Sequence, residues 1–296
     1  MASVQANGID IEYEEQGEGE PLLLVMGLGG QLIDWNDEFV AQLADAGYRV
    51  IRFDNRDSGL SSEMEGEPLT RRQMLRLMAT RRRPETGYLL SDMARDGVGL
   101  LDALGIESAH IVGVSMGGMI AQTMAIEHPA RVRSLTSIMS TTGDRRRGRV
   151  HRSLMVRAAR MPEPTIETAR DSGIEMWRMI SGSEFDEAET RRSVQRAIER
   201  SFRPQGTGRQ MAAILASPDR TPGLRRVTVP TLVIHGLMDK LVQPSGGVAT
   251  ARAVPGSRLI MFPEMGHDLP RSRWTEIVEE IARNTIRAAS APAPVA

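Results

Sequence analysis

The sequence predicts an α/β protein, a mostly parallel sheet covered by helices, with a helical insertion late in the chain. Three observations predict it. Short β-branched or leucine-rich runs bounded by glycine alternate with amphipathic stretches. One run passes into a helix-like stretch through "GVSMG" at 113–117. Residues of about 141–225 break the alternation with helix-like segments and no strand-like run.

Taken in order, "VQANGIDIEYEEQG" alternates apolar and polar residues about Asn7-Gly8, which reads as an antiparallel hairpin at the sheet edge. Six strands follow, at "PLLLVMG" (21–27), "YRVIRFD" (48–54), "HIVGVS" (110–115), "SLTSIMS" (134–140), "PTLVIHG" (230–236) and "SRLIMFP" (257–263). Between them "LLSDMARDGVGLLDALG" (89–105) has apolar residues at helical spacing and ends in glycine. The insertion contains "RSLMVRAARM", "TARDSGIEMWRMI" and "ETRRSVQRAIERSF", punctuated by Pro162, Pro164, Pro204 and Pro218. The expected organisation is core at 1–140, helical cap at 141–225, core again at 226–288, and a disordered tail at 289–296 ("ASAPAPVA").

A chain of 296 residues can bury about 75% of its unfolded surface, enough for a large core. With 41% hydrophobic and 25% charged residues and a net charge of −1, nothing calls for a nucleic-acid or membrane partner. There are no cysteines, so disulfides, thiolate metal sites and cysteine nucleophiles drop out. The amino terminus "MASVQANGIDIEYEEQ" is polar and acidic and no 18-residue apolar run occurs, so the expectation is a cytoplasmic, unanchored protein. Lys240 is the only lysine, and the runs Arg81–Arg83 and Arg145–Arg147 read as solvated surface.

In "GVSMG" a serine stands at a strand-to-helix turn between glycines, where flanking side chains would collide with neighbouring backbone. Gly113 and Gly117 support the turn, and the Ser115 hydroxyl is expected to stand exposed at the carboxyl end of the sheet. A serine hydroxyl needs an imidazole to take its proton and a carboxylate to orient that imidazole. Of His110, His128, His151, His235 and His267, only His267 in "FPEMGHDLP" lies beyond the last strand, after a late acid, while His235 reads as structural. Asp239 in "LVIHGLMDKLVQP" is the preferred acid and Asp144 its rival. The developing oxyanion needs preorganised donors. The backbone N–H of Met116, opening the helix, and that of Leu28 in "MGLGG", beside Gly27, are expected to supply them.

With these residues assembled the chain resembles an α/β-hydrolase over nearly its whole length, through "LLLVMGLGG", "VIRFDNRDSGLS", "IVGVSMGGMIAQ", "VPTLVIHGLMDKLVQP" and "FPEMGHDLP". It is most similar to small carboxylesterases and aclacinomycin methylesterases. The resemblance implies an eight-stranded sheet, a helical cap over the site and hydrolysis through a seryl ester. Met26-Gly27 stands where many relatives have His-Gly, and Arg56-Asp57 where many have Arg-Gly. Dehalogenases and epoxide hydrolases of this fold carry aspartate at the turn, and Ser115 argues against both.

The function expected is carboxylic ester hydrolysis on a small-molecule ester, with neither metal nor organic cofactor called for. The alternatives are a cofactor-free haloperoxidase or perhydrolase, and a ligand-binding homologue with little turnover. Met155, Met161, Met176, Trp177 and Met179 either shape an apolar pocket in the cap or simply pack.

Overall fold

The structure, a computed structural model, describes residues 1–80, 82–158 and 165–289. Arg81, Met161, Pro162, Pro164 and residues 290–296 of the expected tail lie outside them.

The elements in chain order are β1 (Ala2–Ala6), β2 (Ile9–Gln16), β3 (Glu20–Val25), α1 (Asp37–Asp45), β4 (Tyr48–Phe53), α2 (Arg71–Thr80), α3 (Leu90–Ala103), β5 (Ala109–Val114) and α4 (Met116–Glu127). After β6 (Val132–Ile138) come α5 (Arg152–Ala158), α6 (Ala169–Ile180), α7 (Glu187–Arg200), α8 (Pro204–Ala216) and α9 (Thr221–Leu224). The chain then closes with β7 (Thr231–Gly236), α10 (Ser245–Ala253), β8 (Arg258–Phe262) and α11 (Trp274–Ala289).

The strands form one eight-stranded sheet in the order β1-β2-β4-β3-β5-β6-β7-β8. The hairpin turns at Asn7 and Gly8, both at positive φ, and pairs Ala6 with Ile9. It joins β4 antiparallel, and every later pairing is parallel. The parallel strands are nearly continuous apolar runs because both faces are covered. Side chains alternate between those faces. Leu23, Val25, Ile51 and Ile111 pack towards α3 and α4 with Met93, Leu100, Ile120 and Met124. Leu22, Leu24, Val50 and Val112 pack towards α1 and α11 with Phe39, Leu43, Trp274 and Ile277. Each such side chain fully removed from water contributes roughly 1.5–3 kcal/mol.

Helix α3 stops where its sequence says it should. Gly105 N–H donates to the Asp102 carbonyl at 3.0 Å and Ile106 N–H to Leu101 at 2.8 Å, a pair of bonds that satisfies the last turn. Helix α4 is buried from Met116 to Ala125, packed on β5 and β6 and against α3 and α9. Among the described residues no helix is long and apolar enough to cross a membrane.

Between β6 and β7 the described residues carry the five helices α5 to α9 and no strand, and α6 to α8 are bonded to the loops that follow the carboxyl ends of β3, β4 and β8. Arg200 of α7 reaches Asp54 Oδ2 at 2.8 Å and Gln31 Oε1 at 2.7 Å. The Gln31 side-chain amide donates in turn to the carbonyls of Ala197 and Ser201. Met176 and Met179 pack with Leu154, Ile180, Val150 and Leu241 in a small apolar cluster of their own, and Trp177 is exposed.

Candidate active site

Strand β5 ends at Val114, and the chain turns into α4 through Ser115 at φ 55°, ψ −119°. This conformation is costly for a side chain carrying a Cβ and persists only where the surroundings enforce it. Here they do. A Cβ at Gly113 would lie 2.2 Å from the Gly117 carbonyl oxygen, and one at Gly117 would lie 2.0 Å from the Val25 carbonyl oxygen. Ser115 N–H is tied to the Ile138 carbonyl at 2.9 Å, and its own carbonyl accepts from Ser140 Oγ at 2.8 Å. The turn therefore holds the hydroxyl at the carboxyl rim of the sheet.

His267, from the loop after β8, presents Nε2 to Ser115 Oγ at 2.9 Å. Its Nδ1 lies 2.8 Å from Asp239 Oδ2, in the loop after β7. An ionised carboxylate can only accept, so Nδ1 carries the proton and Nε2 is left to accept from the serine hydroxyl. Asp239 is itself fixed, because Oδ1 accepts the amides of Leu241 at 2.9 Å and Val242 at 2.8 Å. Its side chain is fully buried. Burial alone would push its carboxyl up, but the imidazoles of His267 and His235 overcome that and hold it below the usual carboxylate range.

The loop after β3 closes the other side. The backbone of Gly27 is packed against the Ser115 turn, so that a Cβ there would lie 3.2 Å from Ser115 Cβ and 3.8 Å from its Oγ. Leu28 follows it, and among the described residues no acceptor receives the Leu28 N–H. Met116 is the first residue of α4, where an amide has no intrahelical acceptor. Both donors sit on segments that flank Ser115.

The remaining candidates lie elsewhere. Asp144 Oδ1 accepts the Arg146 N–H at 3.0 Å within its own loop. His110 is buried between Ser134 Oγ and Glu20 Oε2, and the exposed His151 bonds to Ser153. His235, read as structural, donates through Nε2 to the Val242 carbonyl at 2.7 Å and stands 3.3 Å from Asp239 Oδ2. It is thus a second imidazole on the same carboxylate, which the sequence signalled only by the four-residue spacing to Asp239. Among the described residues no group of three or more His, Asp or Glu side chains is arranged to hold a metal.

The Arg56-Asp57 departure also has a structural reason. Asp57 takes φ 69°, in the left-handed region that glycine adopts freely. Its carboxylate accepts from Arg209 of α8, from the Tyr88 hydroxyl at 2.6 Å and from the Met64 amide at 2.8 Å. Burial first, then the bond to Asp57, pushes the Tyr88 phenol far up, so it remains a donor. Arg56 pairs separately with the buried Asp96 at 2.6 Å.

Comparison with known proteins agrees with the architecture. Residues 20–270 match the family model for the alpha/beta hydrolase fold. The rhodomycin D methylesterase DauP of Streptomyces sp. (strain C5) is 29% identical over 291 residues, covering 90% of each chain. BpoC of Mycobacterium tuberculosis, named as a candidate non-heme bromoperoxidase, is 28% identical over 266 residues, covering 88% of this chain and 91% of its own. Among solved structures, a thermophilic esterase from Thermogutta terrifontis superposes with a TM-score of 0.73 at 24% identity, over 96% of this chain and 99% of that one. With its eight-stranded sheet, its strand order and a family match over most of its length, the chain belongs to the α/β-hydrolase family.

Proposed function

We propose that the protein is a carboxylic ester hydrolase acting on small to medium esters through an acyl-enzyme. The observation that carries this reading is the unbroken line of bonds from Asp239 Oδ2 to His267 and from His267 to Ser115 Oγ, at 2.8 and 2.9 Å. The Ser115 hydroxyl attacks the ester carbonyl while His267 Nε2 takes its proton. Asp239 keeps the imidazole in the accepting tautomer and steadies the cation that forms. The amides of Leu28 and Met116 receive the oxyanion, a contribution of about 3–4 kcal/mol for one such donor. His267 returns the proton to the leaving alcohol, then draws one from water to release the acid. The helices of 141–225 act as the cap over this site, and the likeness to a methylesterase supports an ester as substrate.

The likeness to BpoC favours a second reading, in which hydrogen peroxide replaces water at the acyl-enzyme and yields a peracid. A panel of p-nitrophenyl esters of increasing chain length, run on wild type, Ser115→Ala and Asp239→Asn, tests the first. Wild-type hydrolysis that falls about 10⁴-fold in either variant is expected. Equal rates in wild type and Ser115→Ala refute it. Halide oxidation dependent on peroxide and acetate, with negligible ester turnover, selects the second.

A further inference from the structure

The Gln210 side chain is fully buried on α8, in the insertion, yet both ends of its amide are occupied by the core. Oε1 accepts the Gly29 N–H at 2.8 Å, and Nε2 donates to the Arg56 carbonyl at 2.7 Å. A donor on one side and an acceptor on the other leave only one orientation of the amide. Gly29 follows Leu28 directly.

A peptide unit is planar, with its C=O and N–H pointing in opposite directions. The unit joining Gly27 to Leu28 carries the Leu28 N–H, and its carbonyl is already tied to the Gly30 amide at 3.2 Å. The next unit, joining Leu28 to Gly29, is the one Gln210 holds. The two torsions of Leu28 thus lie between two peptide units that are each held by a hydrogen bond, one of them from Gln210. The same helix presses on the loop one turn earlier. Gly29 sits at φ +68°, and a Cβ there would lie 2.7 Å from Thr207 Oγ1. Helix α8 is in turn fixed by Arg209, which grips Asp57 and Glu63.

We infer that Gln210 is a positioning residue of the reaction: from the insertion it sets the direction of the Leu28 N–H that receives the oxyanion. The inference rests on the ester-hydrolase reading and on Leu28 as a donor. It makes α8 part of the catalytic apparatus as well as of the cap.

The test compares wild type, Ser115→Ala, Gln210→Met and Gln210→Asn on p-nitrophenyl acetate, with active serines titrated by a fluorophosphonate. Methionine keeps the volume and loses both bonds. Asparagine keeps an amide, one methylene too short to span Gly29 and Arg56, and serves if methionine prevents folding. The expected result is a fall in kcat per titrated serine of about 10–100-fold, with KM changed by less than about threefold. A trifluoromethyl ketone, which places an oxyanion in the same hole, loses affinity by a similar factor. A merely structural role lowers the number of titratable serines and leaves kcat per serine intact. That outcome, or a raised KM at unchanged kcat, overturns the inference while the ester-hydrolase reading stands. A wild type no faster than Ser115→Ala overturns the reading beneath it.

Discussion

The Arg209 guanidinium closes on the Asp57 carboxylate, with Nη2 at 2.7 Å from Oδ1 and Nε at 3.0 and 3.1 Å from the two oxygens. The two residues stand 152 positions apart, and both side chains are nearly or fully buried. It fastens α8 to the loop after β4, together with the Gln210 bond to the Arg56 carbonyl.

Breaking one side of such a pair leaves a charge in a place it cannot be hydrated, so Arg209→Met is expected to cost about 3–5 kcal/mol. Asp57→Gly leaves the guanidinium only Glu63 and the Gly66 carbonyl, and relieves a left-handed backbone, which returns about 1–2 kcal/mol. The double variant removes both charges together and should be less destabilised than the sum of the singles by at least about 2 kcal/mol. Urea unfolding of the four proteins measures this. Additive losses would show that the pair is not coupled.

A second strap joins the insertion to the histidine loop. His267 N–H donates to the Ile180 carbonyl at 2.8 Å, at the end of α6. Asp268 accepts the Gly266 amide at 2.8 Å and the Gly182 amide at 3.2 Å. Burial holds the Asp268 carboxyl above its usual range, against the pull of the Gly182 and Gly266 amides and of His267. Asp268→Ala frees both amides and is expected to cost about 1–3 kcal/mol of stability. In the proposed mechanism this loop carries the base rather than the pocket, so kcat should fall by the same factor for a two-carbon and an eight-carbon acyl ester. Asp268→Asn, which keeps an acceptor, should retain more of it. A loss confined to the longer ester would place Asp268 in substrate binding instead.

The parts of this molecule that could be read from the sequence are those encoded locally. The parallel strands announce themselves as apolar runs, and the order Ser115, Asp239, His267 follows from which loop succeeds which strand. The straps could not be read, because Gln210 with Gly29 and Arg209 with Asp57 are contacts across 181 and 152 residues that leave no periodic trace. Helix α8 was hidden for another reason. Gly206 and Gly208 weaken its helical pattern, and Pro204, which reads as punctuation, is in fact its first residue, where a missing N–H costs nothing. The left-handed Asp57 was visible only as an oddity, an acid where a glycine is commoner.

Asp34 gives the structure a pH dependence with a definite sign. Its Oδ2 accepts the Gln31 N–H at 2.8 Å, at the end of the loop that carries Leu28. Burial pushes its carboxyl from 3.8 up to about 6 against the pull of the Gln31 amide, Arg196 and Arg200, with the charge of Asp54 adding to the rise. The folded protein therefore binds a proton here that the unfolded chain has already released between about pH 4 and pH 6. Its stabilising effect is complete below pH 4, is lost as pH rises through 6, and stays lost above. Asp34→Asn keeps an acceptor for Gln31 and cannot ionise. The variant should match wild type at pH 4 and exceed it by roughly 1–3 kcal/mol at pH 7.5, a span set by the size of the shift. Urea unfolding of both proteins across this range checks it, since the other carboxylates cancel in the difference. A gap that stays constant from pH 4 to 7.5 would mean that Asp34 ionises in the folded protein as it does in the unfolded chain.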